Sequence, residues 1–139
     1  MILAFLSGIL MAVQGSLNAA LGKVVGLLEA AFIVHATGLI VLSVALFGLR
    51  LGKGAFSLPN VPWYLYLGGL LGVLIVYLVA ASIPNVGVGT ATTAIIIGQV
   101  LTALVIDHFG LFGLEENHFV IRQGVGLVLL AIGGKLLLQ

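Results

Sequence analysis

Five stretches of this chain are each apolar over about the 20 residues that an α-helix needs to cross the hydrocarbon layer of a bilayer. They run roughly over Ile2–Gly22, Ala30–Leu49, Trp63–Ile83, Val86–Ile106 and Phe119–Leu138. No other feature limits the possible folds so strongly. Within lipid every backbone N–H and C=O must be satisfied by the protein itself, so a spanning segment is a helix or part of a closed barrel. The apolar runs do not alternate with period two, which argues against a barrel. The expected fold is therefore an all-α integral membrane protein with five transmembrane helices, in a single membrane domain over residues 1–139.

Composition supports this reading and removes others. Only 6% of residues are charged and the mean hydropathy is +1.36, whereas a soluble domain has about a quarter of its residues charged. The lipid bilayer is the first expected partner. A formal net charge of +1 gives no electrostatic footing for nucleic acid. There is no cysteine, and His35, His108 and His118 are scattered without metal-ligand spacing. No cofactor, metal site or catalytic constellation is expected, and an enzyme is not the expected class. The N-terminal run MILAFLSGIL lacks a basic leader and continues past signal-peptide length, so it reads as a retained first span.

The breaks between spans have local causes. Lys23 and Glu29 flank a short first connection. Arg50–Pro62 combines charge, glycine and proline, which is turn chemistry. Pro62 before Trp63 and Tyr64 reads as a helix start with interfacial aromatic anchors. Ile83–Gly89 reads as a tight hinge, because Pro84 disfavours helix at Ile83. Asp107–His118 is the most polar stretch, and Asp107, His108, Glu115, Glu116 and His118 read as a solvated loop.

With five spans the two ends lie on opposite sides of the membrane. Arg50, Lys53 and Arg122 then fall on the N-terminal side and Lys23 and Lys135 on the other, three basic residues against two. The positive-inside rule orients a chain by such an excess in short loops. A difference of one leaves two readings: one orientation for all copies, or insertion in both orientations with antiparallel pairing.

Small residues recur along helix faces. Gly8, Ala12, Gly15, Ala19 and Gly22 form a stripe on the first span, and Gly98 belongs to a similar stripe on the fourth. Such stripes let helix backbones approach closely in lipid. They serve packing within the chain or contact with a partner.

Polar side chains inside spans face protein or water. Gln14 and Asn18 are four residues apart on one side of the first span, as ligand-binding amides or as interhelical hydrogen-bonding groups. His35 lies deep in the second span and reads as a structural hydrogen-bonding residue or a proton relay. Desolvation disfavours a charged carboxylate, so Glu29 is a candidate for proton coupling alongside His35. The competing reading makes Glu29 a cap at a helix N-terminus, where negative charge is favourable. Gln99 shares a face of the fourth span with Thr92. Tyr77, Ser82 and Thr92 are second choices for lining a cavity.

The stretches Gly8–Gly26, Val34–Gly38, Gly98–Gly113 and Arg122–Gly134 resemble the YdcZ-like five-helix family of the drug/metabolite transporter superfamily. The more specific parts are the Gln-Gly…Asn pattern of the first span and the Gly-Gln…Asp-His-Phe-Gly pattern of the fourth. The resemblance implies a bacterial inner-membrane, multi-pass transporter built as half of a ten-helix inverted-repeat assembly. The partner would be a second copy, or a sister chain, in inverted orientation. Related small multidrug exporters carry a proton-exchanging glutamate in their first helix. Gln14 is the polar residue here, which speaks against that coupling. The expected function is alternating-access movement of a small polar or amphipathic metabolite. The alternative is a structural or regulatory membrane subunit without transport of its own.

Overall fold

The computed structural model describes residues 1–52 and 62–138. Among them every regular element is helical. Helix α1 spans Ile2–Val25, α2 Leu27–Ser43, α3 Gly68–Val86, α4 Val88–Phe109 and α5 Ile121–Leu137. Helix α2 runs on into a π-helical turn over Val44–Gly48, and α3 is preceded by a 3-10 turn over Trp63–Leu67. With these extensions, four helices are long and apolar enough to cross a membrane: Ile2–Val25, Leu27–Gly48, Trp63–Val86 and Val88–Phe109. The fifth expected span is a helix of 17 residues, about 25 Å long against a hydrocarbon layer of about 30 Å. The turn expected over Arg50–Pro62 falls largely on residues 53–61, outside the described ones.

Two of the breaks are single glycines. Gly26 separates α1 from α2 with φ 101° and ψ 151°, and Gly87 separates α3 from α4 with φ 83° and ψ 160°. That region of backbone space is open essentially to glycine alone. In both links the glycine carbonyl accepts the first bond of the next helix, from Ala30 N–H at 2.9 Å and from Ala91 N–H at 3.1 Å. The stop expected at Pro84 moves accordingly. Helix α3 continues through Pro84 to Val86. Proline's φ is itself helical and its missing N–H forfeits one bond, whereas the positive φ of Gly87 cannot be helical.

The chain divides into two compact units, Met1–Pro84 and Asn85–Gln139. In the first, α1 and α2 are in contact. Gly15 of α1 lies against α3, where a Cβ would meet Val79 Cγ1 at 2.9 Å and Ile83 Cδ1 at 3.3 Å. In the second, α4 and α5 pack together, with Gly134 against Ile97. Among the described residues every buried one is small: Gly15, Asn18, Ala19, Ala30, Ala31, Ala80, Ala91 and Gly134. No large side chain is fully buried among the described residues, while leucines, isoleucines and phenylalanines line the exterior. This inverts the soluble pattern. Lipid tails solvate large apolar side chains as well as a protein core does, so close backbone approach, which small residues permit, holds such helices together.

Candidate functional site

Gln14 stands midway along Ile2–Val25, and Gln99 midway along Val88–Phe109. Both are exposed on the chain. Neither carboxamide makes a hydrogen bond among the described residues. An amide at that depth facing acyl chains would leave two donors and an acceptor unmet.

Asn18 is placed differently from Gln14 although the two are four residues apart. It is 95% buried, with a relative exposure of 5%. Helical geometry accounts for the difference. About the axis, Asn18 lies about 60° from Gly15, the residue that meets α3, whereas Gln14 lies about 100° away. The two amides share a flank of α1 but straddle the edge between its packed face and its open one. No fully enclosed side-chain nitrogen or oxygen lacks a partner among the described residues. The Asn18 amide makes no hydrogen bond there either, so its tip keeps a narrow opening.

His35 of α2 is half-buried. Its Nδ1 lies 2.8 Å from the Ala31 carbonyl oxygen. A carbonyl only accepts, so Nδ1 carries the hydrogen and Nε2 of the neutral ring is an open acceptor. That Nε2 lies over Gly72 of α3, 3.6 Å from where a Cβ would stand. The structural and ligand-facing readings of His35 thus fall on different nitrogens. Glu29 is exposed in the first turn of α2, and its carboxylate lies against Gly26, the residue that begins the helix. A negative charge there is favoured by the unpaired N–H groups of the first turn.

The second choices are less free. Ser82 donates to the Val79 carbonyl of its own helix at 3.0 Å. Tyr77 and Thr92 are half-buried. Ser7, Ser16, Thr37 and Thr93 likewise bond back to their own helices, the usual local habit of these residues. Of the small-residue positions, Gly15 and Ala19 are buried, Ala12 and Gly22 are half-buried, and Gly8 and Gly98 are exposed with open space where a Cβ would point.

The sequence reading missed the chemistry at the α4–α5 connection. Asp107 and His108 belong to the last turn of α4 rather than to a loop. The His108 ring accepts from the backbone N–H of Phe119 at 3.1 Å. Gln123 Oε1 accepts from the Val120 N–H at 2.9 Å and so closes the start of α5. The available signal for Gln123 was its place three residues after Val120, where a glutamine reaches back to a helix start.

A model of the family described as "Putative inner membrane exporter, YdcZ" matches residues 1–136. No curated protein and no solved structure matches the chain.

Proposed function

Because the chain belongs to the YdcZ family of inner-membrane exporters, a family of transporters rather than enzymes, we propose that it works as one half of an antiparallel pair. The pair moves a small polar or amphipathic metabolite by alternating access. The chain is a multi-pass inner-membrane protein. Its inverted partner is a second copy or a sister chain, as the near-even split of basic residues suggests. Inverted halves rocking about a midplane site are a common design of secondary transporters.

One observation carries this reading. Gln14 and Gln99 each sit at the midpoint of an apolar helix, exposed and without a hydrogen-bond partner among the described residues. Lipid cannot satisfy them, so a ligand, water or a partner must. We assign ligand contact to Gln14, Asn18 and the Nε2 face of His35 in the first unit, and to Gln99 in the second. Tyr77, Ser82 and Thr92 play secondary parts. His35 is the titratable contact, with Glu29 as the second candidate for proton coupling. Gly8 and Gly98, open on the chain itself, are assigned to the partner contact.

The test is uptake or efflux of a metabolite panel in proteoliposomes, run with Gln14→Leu and Gln99→Leu. Each variant is expected to insert normally and to lower transport roughly tenfold, about the worth of one lost polar contact. Wild-type transport by both variants would remove the assigned site. Tag accessibility at both termini on intact cells tests the pairing. Two orientations support the homodimer. A single orientation excludes it and leaves only the sister-chain version.

A further inference from the structure

The last turn of α4 holds the segment leading into α5 by two hydrogen bonds. Asn117 N–H donates to the Asp107 carbonyl oxygen at 2.7 Å, and Phe119 N–H donates to His108 Nδ1 at 3.1 Å. The acceptor of the first cannot be protonated in the accessible pH range, whereas the acceptor of the second can. An imidazole nitrogen that accepts a hydrogen bond has no hydrogen of its own. His108 in this arrangement is therefore neutral, with its hydrogen on Nε2. Adding a proton at Nδ1 turns the acceptor into a donor pointed at another donor, and the bond is lost.

Other titratable and charged groups lie on the same turn, in the connecting segment and at the start of α5. His108 lies in the final turn of α4. Asp107 is its neighbour on the same turn. Glu115 and Glu116 lie in the connecting segment, and the Glu116 side chain passes beside Gly110. The His118 ring stands edge-on at a centroid distance of 5.7 Å. Arg122 lies in the first turn of α5. Phe119 packs onto α5: its ring lies over Gly124, 3.4 Å from where a Cβ would stand.

We propose that His108 and the Phe119 amide form a proton-released clasp between the end of α4 and the start of α5. It is closed while His108 is neutral and opens on acidification of the membrane face that carries this connection. The sign follows from the bond: neutral imidazole accepts, imidazolium does not. The clasp lies outside the residues assigned to ligand contact and does not rest on the transport reading.

The experiment is amide hydrogen exchange and imidazole nitrogen NMR on the full-length chain in lipid nanodiscs, between about pH 8 and pH 5, the interval in which histidine changes charge. Exchange is corrected for its intrinsic pH dependence. The Asn117 amide, bonded to a backbone carbonyl, is the internal reference. At the higher pH His108 Nδ1 is expected to show the signal of an unprotonated acceptor. On acidification the Phe119 amide should exchange roughly tenfold faster relative to Asn117. In His108→Asn the side-chain oxygen still accepts but does not titrate, so the ratio should stay flat. His118→Phe should keep the pH response. The proposal is overturned by a constant Phe119-to-Asn117 ratio in the wild type, by a protonated Nδ1 at the higher pH, or by loss of the response in His118→Phe alone.

Discussion

Gly26 and Gly87 make the same turn in different surroundings. Both break a helix with one residue, both hold a backbone conformation reserved for glycine, and both hand their carbonyl to the next helix. At Gly26 a Cβ would run into the carboxylate of Glu29, whereas at Gly87 nothing lies within 4 Å. The first link is constrained by its dihedral angles and, more weakly, by the flexible end of the exposed Glu29 side chain. The second is constrained by its dihedral angles alone. One backbone solution can thus be set in a crowded place and in an open one, and the two should respond differently to the same added methyl group.

The largest effect is expected from Gly26→Ala. Strain at such a position costs about 1–3 kcal/mol, and moving the flexible end of Glu29 aside adds a smaller amount. Gly87→Ala should incur the strain alone. Thermal unfolding of both variants in one detergent should therefore rank wild type above Gly87→Ala, and Gly87→Ala above Gly26→Ala. Equal losses would show that the Glu29 contact has no weight. A smaller effect should come from removing that neighbour. Glu29→Ala placed in the Gly26→Ala background should recover the steric part and bring the double variant close to Gly87→Ala. A double variant no more stable than Gly26→Ala would assign the whole cost to the backbone. The smallest effect, of opposite sign, is expected at Gly98, which is helical and open. There Gly98→Ala should raise the stability of the isolated chain by up to about 1 kcal/mol, while weakening self-association measured by crosslinking in membranes. Association left intact would withdraw Gly98 from the partner contact.

Much of this architecture was legible in the sequence because its causes are short-range. Apolar runs of spanning length located the helices, and glycine with nearby polar residues located the breaks. Pro84 misled because proline is a weaker stop in a membrane helix than its soluble reputation suggests, and the decisive signal lay three residues later at Gly87. The polar residues were harder to read. Spacing put Gln14 and Asn18 on one flank of α1, but their division into exposed and buried depends on which side of that flank meets α3, and that is a tertiary fact. His35 was read as structural or functional, and the structure shows the structural side alone, with Nδ1 on the Ala31 carbonyl and Nε2 over Gly72. His108 looked like part of a loop because charge and aromatic residues cluster there. Its bond to Phe119 spans eleven positions, beyond the reach of any periodicity.

An interior made of small residues, chiefly alanine and glycine, reverses the usual arithmetic of mutation. In a water-soluble domain the damaging changes shrink a large side chain and leave a hole. Here no large side chain is fully buried among the described residues, and the damaging changes are those that enlarge a small one where two backbones touch. A map of tolerated substitutions would resemble the photographic negative of a soluble protein's, permissive at leucine and phenylalanine and strict at Ala30, Ala31 and Ala80.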